Sequence, residues 1–362
     1  MPKLYIGLMS GTSLDGVDVA LCRIDATRCV LKASHFLPFD SAFKAELLSM
    51  IRGTNTLQAI GQMDVRLAHL FAQGVNELLQ KIALDPQEVV AIGSHGQTLW
   101  HEPHGQYPFS MQLGNPSVLA VETGIDVVAD FRAKDVARGG QGAPLAPAFH
   151  FELFGDIEGC AVLNIGGMAN ISLFSPTVIG YDSGCGNVLM DLWINEVKGE
   201  PFDRDGRWAA SGKVHQALLT QLLNDNYFKL NYPKSTGREY FNKTFLRNYL
   251  EPFDRISDED IQATLLALTV QSIANEIQKF EITKVLVCGG GVKNIHLMRE
   301  LQSQLMGIEV LSTDQFGVSS ENMEAMIFAW LAYKRLQNEK VALKTVTGAT
   351  KNTMLGGIYA SD

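Results

Sequence analysis

Apolar and polar residues alternate along the first half of the chain in a pattern that predicts a mixed α/β domain. Short apolar runs bounded by turn residues predict strands, and apolar residues at helical spacing predict helices. The predicted strands are residues 4–9, 17–24, 30–36, 89–93 and 125–129, and the predicted helices are residues 42–51, 57–82 and 116–122. The apolar stripe of the longest helix is interpreted as core. Thr56 is its expected N-cap, because a threonine hydroxyl can accept an N–H group of the first turn.

The second half of the chain repeats this order of elements. Its predicted strands are residues 160–165, 171–174, 178–181, 285–288 and 308–311, and its predicted helices begin near residue 187 or span residues 295–306 and 322–336. Strands and helices in this mixture predict an α/β fold. Since 362 residues exceed what one hydrophobic core usually fills, two domains are expected.

Composition and charge narrow the class of protein. The chain is 46% hydrophobic and 19% charged, as expected of a folded protein. Its net charge of −9 and the lack of a basic run argue against a nucleic-acid partner, because a phosphate backbone is bound by a basic surface. Scattered cysteines without a CxxC spacing indicate a reduced, cytoplasmic protein. No signal-peptide pattern is present, and no apolar run reaches the roughly twenty residues that span a membrane, so no membrane partner is expected.

The loop between the first two predicted strands has the chemistry of a phosphate-binding loop without its lysine. Gly11 and Gly16 let the backbone approach a ligand, and hydroxyl groups beside successive N–H groups form a concavity suited to an anion. Asp15 and Asp18 would repel a bare phosphate, but with Mg²⁺ they would hold a nucleotide. An ordinary hairpin is the alternative, because the same residue types form turns. The candidate nucleotide contacts are Gly11, Thr12, Ser13, Leu14, Asp15, Gly16, Val17 and Asp18, and the candidate metal ligands are Asp15 and Asp18.

Two further glycine turns follow predicted strands. One lies in the second hairpin, and the other precedes a predicted helix, an arrangement that favours phosphate or adenine binding. The Walker pattern is absent, and so is a GxGxxG fingerprint followed by an acidic residue. The pattern therefore indicates a duplicated ATPase core that binds a nucleotide between its halves. The candidate contacts are Gly166, Gly167, Asn170, Gly289, Gly290, Gly291 and Asn294.

Motifs along the whole chain resemble one family. They are GLMSGTSLDGVD at 7–18, SHGQTLWHEP at 94–103, QLGNPSVLA at 112–120, ADFRAKDVARGGQGAPLAPAFH at 129–150, LNIGGMANIS at 163–172 and ENMEAM at 321–326. The chain resembles the anhydro-N-acetylmuramic acid kinases of the acetate kinase, sugar kinase, Hsp70 and actin superfamily. This resemblance implies duplicated actin-like ATPase domains of the ribonuclease H-like α/β type, with an interdomain cleft.

The same resemblance implies an enzyme of peptidoglycan recycling and amino-sugar catabolism. With ATP and Mg²⁺, it would open 1,6-anhydro-N-acetylmuramic acid by hydrolysis and phosphorylate O6, giving N-acetylmuramic acid 6-phosphate and ADP. Two alternatives stay open, a nucleotide-dependent scaffold of the actin and Hsp70 type and a sugar kinase acting on a free 6-hydroxyl. The oligomeric state is also open, with a homodimer as one alternative.

Asp182 is the candidate catalytic residue. It follows a predicted strand and precedes a helix, where open α/β folds expose reactive groups. In the kinases that the chain resembles, the matching aspartate is the general base; a helix cap or a magnesium ligand is the alternative. The resemblance also implies a sugar side formed by His95, Gln97, Thr98, Arg132 and Glu324. For Glu324 the alternative is a solvated glutamate in the first turn of a helix, stabilised by the helix dipole.

The expected domain boundaries follow from these halves. Residues 1–130, together with the returning tail 345–362, form the first domain, and residues 131–344 form the second. The Gly- and Pro-rich segment 138–147 is interpreted as a hinge or an interdomain crossing. The polar segment 203–253 is interpreted as an insertion that shapes the sugar side or a dimer contact.

Two other chemistries are disfavoured. Cys185 between two glycines could be the low-pKa nucleophile of a hydrolase, but no local signature names a histidine base. The histidines at positions 95, 101 and 104 could suggest a metal site. No cysteine or paired carboxylate completes a zinc set in that window.

Overall fold

The computed structural model describes residues 2–11, 14–232, 234–253 and 255–362, which form two compact units. Unit 1 comprises Met1–Leu153 and Asn322–Asp362, and unit 2 comprises Phe154–Glu321. These boundaries differ from the expected ones at residues 130 and 345. The segment after residue 130 and a long helix after residue 322 both belong to unit 1.

Unit 1 begins with three consecutive strands and continues through a helix-rich segment. Its elements up to the boundary are β1 (Lys3–Met9), β2 (Gly16–Ile24), β3 (Cys29–Pro38), α1 (Ser41–Arg52), α2 (Leu57–Ile82), β4 (Val89–Ser94), β5 (Gln97–Glu102), β6 (Phe109–Leu113), α3 (Pro116–Thr123), β7 (Val127–Ala129), α4 (Ala133–Val136) and α5 (Ala146–Phe154). The strands and helices predicted in this half are present, with ends shifted by a few residues.

The longest helix, α2, forms as its pattern predicts. The Thr56 side chain accepts a hydrogen bond from the Ala59 N–H at 3.1 Å, which confirms the N-cap. The apolar stripe is buried in the core of unit 1, where Leu67, Phe71 and Val75 are at most 1% exposed. Burial of this stripe, more than helix propensity, therefore stabilises α2.

The segment after His95 is a hairpin that the apolar pattern of the sequence does not predict. Strands β5 and β6 pair antiparallel as a separate two-stranded sheet, with Gln97 opposite Leu113 and Thr98 opposite Gln112. Few of its apolar residues are buried, and Trp100 is half exposed. A strand pair without a clear buried face leaves no alternating pattern in the sequence, which explains why the hairpin was not predicted.

Unit 2 contains a second meander and a larger set of helices. Its elements are β8 (Cys160–Ile165), β9 (Met168–Leu173), β10 (Ile179–Cys185), α6 (Val188–Lys198), α7 (Arg207–Ser211), α8 (Gln216–Leu223), α9 (Asn226–Lys229), α10 (Lys243–Leu250), α11 (Asp258–Ile277), β11 (Lys284–Cys288), α12 (Ile295–Gln304) and β12 (Glu309–Ser312). The segment 203–253 is not separate from this unit, because Leu218, Phe241 and Leu246 lie in its hydrophobic core. Because the segment is rich in polar residues, its contribution to the hydrophobic core was not predicted from the sequence.

The C-terminal part of the chain completes unit 1. It contains α13 (Met323–Leu336), α14 (Lys344–Thr347) and β13 (Gly357–Tyr359). Helix α13 packs on β1 and β4, where Gly7 and Gly93 allow close approach: a Cβ on Gly7 would collide with the Ala325 carbonyl oxygen. Strand β13 pairs antiparallel with β7, so the tail returns to the first sheet as expected. No helix within the described ranges is long and apolar enough to cross a membrane.

Five strands of each main sheet share one order. From the third strand of the meander, this order is β3-β2-β1-β4-β7 in unit 1 and β10-β9-β8-β11-β12 in unit 2, and β13 is a sixth strand beside β7. In each sheet the first three strands form an antiparallel meander, and two parallel strands extend the sheet on the other side of the first strand. The predicted duplication of one α/β topology is therefore confirmed.

Candidate active site

The loop between β1 and β2 is fixed by an apolar side chain. The Leu14 N–H donates to the Gly11 carbonyl oxygen at 3.2 Å, and Leu14 has a φ of 54°. Its side chain is 2% exposed and lies in the core of unit 1. Leu14 can therefore offer only its backbone to a ligand. Thr12 and Ser13, two of the predicted nucleotide contacts, lie outside the described residues.

Two other predicted contacts of this loop belong to the core. Val17 is fully buried in β2, and a Cβ on Gly16 would collide with the carbonyl oxygen of Leu37. The packing of β2 against β3 therefore requires glycine at position 16. Gly16 therefore has a packing role, and the contact of its backbone with a nucleotide stays a prediction.

The two candidate metal ligands differ in their surroundings. Asp15 is exposed, and its Oδ1 forms an ion pair with the ammonium group of Lys44. Asp18 lies in β2 opposite Met9. Within the described part of the chain, no group of three or more His, Cys, Asp or Glu side chains could hold a metal ion. Because Mg²⁺ commonly takes one or two carboxylates and completes its shell with water and phosphate, the magnesium site stays a prediction.

A buried histidine orients the arginine of the predicted sugar side. His95 Nδ1 lies 2.8 Å from the Gly96 carbonyl oxygen, which can only accept, so Nδ1 carries the proton. His95 Nε2 then accepts hydrogen bonds from Arg132 Nε and Nη2, at 3.0 Å and 2.8 Å. Burial and the Arg132 charge hold the pKa of His95 well below its usual range, so the ring is neutral. Since both ring nitrogens are used, His95 positions Arg132 and is not placed to contact a sugar with its ring nitrogens.

Arg132 is also held by the loop that follows it. Its Nη1 donates to the Gly142 carbonyl oxygen at 2.6 Å. Asp135 fixes that loop by accepting the Gly142 N–H at 2.8 Å and the Thr347 hydroxyl at 2.9 Å. Burial lowers the pKa of Arg132 to about 10, opposed by the charges of Glu324 and Asp135, so Arg132 is a cation at neutral pH. Arg132 and Glu324 therefore interact through their charges, and Glu324 is an exposed residue in the first turn of α13.

The remaining residues of the predicted sugar side make local contacts. Gln97 Oε1 accepts a hydrogen bond from the Ser10 hydroxyl at 2.7 Å, and both residues are 1% exposed. Gln97 therefore ties β5 to the loop between β1 and β2. Thr98 Oγ1 accepts from Gln112 Nε2 at 3.2 Å across the hairpin.

Unit 2 brings its two glycine turns to the end of β8. Gly289 and Gly291 pack against the last residues of that strand, and a Cβ on Gly291 would collide with the Ile165 side chain. Gly290 is exposed, and a Cβ there would have only the Asn187 amide within 4 Å, at 3.9 Å. Gly290 is therefore the position of this turn at which a ligand can approach the backbone.

The turn at Gly166 and Gly167 is joined to the start of α6. The Gly166 carbonyl accepts the Asn187 N–H at 2.8 Å, and the Gly167 carbonyl accepts the Gly186 and Val188 N–H groups at 2.9 Å and 3.1 Å. A Cβ on either turn glycine would meet no atom closer than 3.7 Å. The outer side of the turn is therefore open, whereas its carbonyl groups hold the first N–H groups of the helix.

Asp182 lies in a row of polar residues that crosses the sheet of unit 2. It is opposite Asn170 in β9, and Asn170 is opposite Asn164 in β8. Residues directly opposite each other share one face of a sheet. The structure therefore places the predicted residues Asn170 and Asp182 on one face and adds Asn164, which was not predicted.

The surroundings of Asp182 suit a proton acceptor. The strand is bulged between Asp182 and Gly184, and Asp182 Oδ2 accepts the Thr236 N–H at 2.9 Å. No described residue donates a hydrogen bond to Oδ1. Burial raises the pKa of Asp182 to about 6, opposed by the Thr236 N–H and supported by the charge of Glu239. A carboxylate that titrates near neutral pH is suited to general base catalysis.

Two other predictions for unit 2 have structural explanations. Burial raises the pKa of Cys185 to about 12, so this residue is a thiol at neutral pH and the hydrolase alternative fails. Asn294 Oδ1 accepts the Leu297 N–H at 2.9 Å and caps α12. That cap accounts for an asparagine at this position without a ligand.

Sequence reasoning missed several polar and charged residues near Asp182. Thr236, Lys234 and Glu239 come from a segment distant in sequence, and no local motif marks them. It also missed Asp191 in α6, whose pKa burial raises to about 7. The only signal available was the density of charged residues in a segment that had been interpreted as an insertion.

Comparisons with known proteins place the whole chain in one family. A family model described as anhydro-N-acetylmuramic acid kinase matches residues 3–361. The anhydro-N-acetylmuramic acid kinase of Sulfurovum sp. (strain NBC37-1) is 55% identical over 358 residues, covering 98% of this chain and 98% of that protein. The enzyme of the same name from Sulfurimonas denitrificans is 51% identical over 369 residues, covering 99% and 100%. Among solved structures, an activator of the 2-hydroxyisocaproyl-CoA dehydratase from Clostridium difficile with bound ADPNP is 12% identical, with a TM-score of 0.45 and coverage of 93% of this chain and 96% of that chain.

Two α/β units in which five strands share one order form a duplicated α/β fold of the actin-like class. The family model and both relatives extend over nearly every residue. The chain belongs to the anhydro-N-acetylmuramic acid kinase family.

Proposed function

We propose that this chain is an ATP-dependent phosphotransferase that acts on 1,6-anhydro-N-acetylmuramic acid and yields N-acetylmuramic acid 6-phosphate and ADP. Membership in the family supports the substrate. The observation that carries the chemistry is Asp182, a carboxylate with one oxygen held by Thr236 and the other without a donor among the described residues. Hydrolytic opening of the anhydro bridge needs a base for water, and a pKa of about 6 suits that role.

Unit 2 has surfaces that suit the nucleotide. Gly166, Gly167 and Gly290 leave open space beside the backbone, as phosphate groups require. A cavity of about 460 Å³ lies along α12, where His296 and Glu300 line it. The loop between β1 and β2 is proposed to contact the phosphates through its backbone.

The chain offers oxygen donors for Mg²⁺ in the loop between β1 and β2. Carboxylate oxygen is the protein ligand that Mg²⁺ prefers, so Asp15 and Asp18 fit the ion. Asp15 would exchange its ion pair with Lys44 for the metal. When bound, Mg²⁺ would neutralise charge on the transferring phosphoryl group.

The reaction couples ring opening to phosphoryl transfer. Asp182 takes a proton from water as the water oxygen bonds to C1 of the sugar. The C1–O6 bond breaks, O6 bonds to the γ-phosphorus, and the bond from that phosphorus to ADP breaks. The proton on Asp182 then passes to solvent. No free 6-hydroxyl is required, because O6 is released in the same sequence.

Arg132 suits the acidic group of the sugar. Muramic acid carries a lactyl carboxylate, and a guanidinium can bind a carboxylate through two parallel hydrogen bonds. His95 and Gly142 use only part of the five N–H groups of Arg132 and hold its plane in one orientation. We assign Arg132 to this carboxylate.

Isotope labelling tests the proposed reaction. In ¹⁸O-water, the label should enter the anomeric hydroxyl of the product and should be absent from O6 and from the phosphoryl oxygens. Label in inorganic phosphate would indicate ATP hydrolysis instead. A control with N-acetylmuramic acid, which has a free 6-hydroxyl, should show little phosphorylation; efficient phosphorylation would indicate an ordinary sugar kinase. ATP turnover that ignores the anhydro sugar would indicate a scaffold.

A further inference from the structure

Asp182 lies in an edge strand and is held by a segment outside the sheet. Among the residues that the structure describes, strand β10 pairs only with β9, and no strand lies on its other side. The Asp182 N–H donates to the Lys234 carbonyl oxygen at 3.0 Å, and the Asp182 carbonyl accepts the Tyr227 hydroxyl at 2.8 Å. The Thr236 N–H holds the carboxylate. The segment that carries Lys234 and Thr236 therefore fixes both the backbone and the side chain of Asp182.

Lys234 is itself anchored in the core of unit 2. Its side chain is 2% exposed, and its Nζ lies 2.7 Å from Oε1 of Glu276, which is 4% exposed. Glu276 Oε2 accepts hydrogen bonds from the Tyr181 hydroxyl at 3.1 Å and from Lys279 Nζ at 2.7 Å. The Lys234 ammonium also lies 5.1 Å from the centre of the Tyr227 ring. Lys234 and Tyr227 thus belong to both the ion-pair cluster and the contacts of Asp182.

A buried ion pair of this kind contributes little to the free energy of unfolding. Removing two charges from water costs about as much as their attraction returns, and a well-packed apolar pair is often equally stable. A buried pair with saturated partners does, however, restrict the places that its backbone can occupy. Here that backbone is the one that meets Asp182.

We propose that Lys234, locked by Glu276, is a positioning residue for the base Asp182. This inference rests on the proposed function, in which Asp182 activates water. Glu276 fixes the ammonium, Lys234 fixes its own carbonyl group and the following residues, and the Thr236 N–H then holds Oδ2. Oδ1 is left as the acceptor for the proton of the water.

The test removes the ion pair one charge at a time and then as a whole. Lys234→Met leaves the Glu276 carboxylate with Lys279 and Tyr181, and Glu276→Gln leaves a buried ammonium without its counter-charge. Both single variants should lower the melting temperature, because each leaves a buried group poorly matched. The double variant Lys234→Met with Glu276→Gln removes both charges, so its melting temperature should rise again towards wild type.

Activity should not recover with stability in the double variant. We expect its kcat to be about ten- to hundredfold below wild type and its KM for ATP to stay within about twofold, because the loss falls on alignment of the base. The acid limb of its kcat profile should move away from the wild-type position near pH 6. The matched control Lys243→Met removes a lysine that pairs with Glu196 on the surface of the same unit, and it should keep the wild-type kcat and profile.

Hydrogen exchange gives a readout that does not depend on turnover. The Asp182 and Thr236 amides should lose protection in the double variant and keep it in Lys243→Met, because only the first variant releases the segment. A double variant with wild-type protection, kcat and acid limb would overturn the positioning role. Failure of the wild-type protein to turn over the anhydro sugar would instead overturn the proposed function, so the two failures are distinguishable.

Discussion

The first hairpins of unit 1 and unit 2 occupy the same place in the same strand order but offer different groups to a ligand. In unit 1, residues 10–15 join β1 to β2 and include Asp15, with Asp18 close behind in β2. In unit 2, Gly166 and Gly167 alone join β8 to β9, and their carbonyls hold the start of α6. The length of the connection therefore decides whether a duplicated hairpin presents side chains or bare backbone.

The third strands of the two meanders differ as well. Strand β3 pairs with β2 without a register shift from Ala33 to its end at Pro38, and it carries no carboxylate. Strand β10 is bulged next to Asp182, and a bulge turns a side chain away from the regular alternation of a strand. We therefore expect the proton-transfer chemistry to reside in unit 2 and the arginine and metal contacts to reside in unit 1.

The largest effect is expected at Asp182. Asp182→Asn keeps the shape of the side chain but cannot accept a proton, so kcat should fall by about two to four orders of magnitude with little change in KM for ATP. In the wild-type protein kcat should rise as pH increases through about 6, since the carboxylate must be ionised. Steady-state kinetics across pH measure both quantities.

A second buried carboxylate of unit 2 provides the control for Asp182. Asp191 also has a raised pKa, about 7, but it lies in α6. Asp191→Asn should keep the acid limb near pH 6. If the acid limb were lost in Asp191→Asn and kept in Asp182→Asn, the general base would be Asp191, and our assignment of Asp182 would be wrong.

The next largest effect is expected at the glycine turn of Gly290 and Gly291, where a ligand would contact the backbone. Gly290→Val places a branched side chain in open space, so KM for ATP should rise roughly tenfold or more while the melting temperature stays near wild type. Gly291→Val should act differently, because its side chain would collide with Ile165 and destabilise the fold by about 1–3 kcal/mol. Unchanged nucleotide affinity in folded Gly290→Val would remove this turn from the site.

A smaller effect is expected at Arg132 in unit 1. Lysine cannot reproduce a guanidinium that bonds His95 and Gly142 at once, so Arg132→Lys should raise KM for the sugar by about three- to tenfold and leave KM for ATP unchanged. Arg66→Lys is the matched control, because Arg66 makes an exposed contact with Glu46. Equal KM values for the sugar in both variants would place Arg132 outside the sugar side.

The smallest effect is expected from Lys44. Lys44→Met releases Asp15 from its ion pair, so the Mg²⁺ concentration for half-maximal activity should fall by about two- to threefold. Stability should change by less than about 1 kcal/mol, as for other exposed ion pairs. Lys81→Met, at an exposed lysine on α2, should leave the Mg²⁺ dependence unchanged. The same Mg²⁺ dependence in Lys44→Met would argue against Asp15 as a metal ligand.

The sequence predicts those parts of the molecule that depend on local periodicity. The apolar stripe of α2 and its Thr56 N-cap could be predicted, because both follow from residue spacing along one helix. The hairpin of β5 and β6 was not readable, because its strands bury no continuous apolar face. The packing role of Gly16 was not predicted, since a glycine required by packing and a glycine required by a ligand look the same in a sequence.

Only the part of the candidate site that depends on local motifs could be predicted from the sequence. Motifs near Asp182 and the glycine turns are local, and they name the residues that lie at strand ends. The partners Lys234 and Glu276 meet across the interior of unit 2 through tertiary packing. No spacing rule connects them, so only the folded chain relates them to Asp182.

The position of α13 has a consequence for the order in which the chain becomes complete. Gly7 and Gly93 leave their faces of β1 and β4 to a helix that begins at Met323, so this face of the first-made sheet stays uncovered until α13 leaves the ribosome. Unit 2 is continuous and has all its residues once Glu321 has been added. Unit 1 is therefore begun first but completed last, and unit 2 can close its core before unit 1 does.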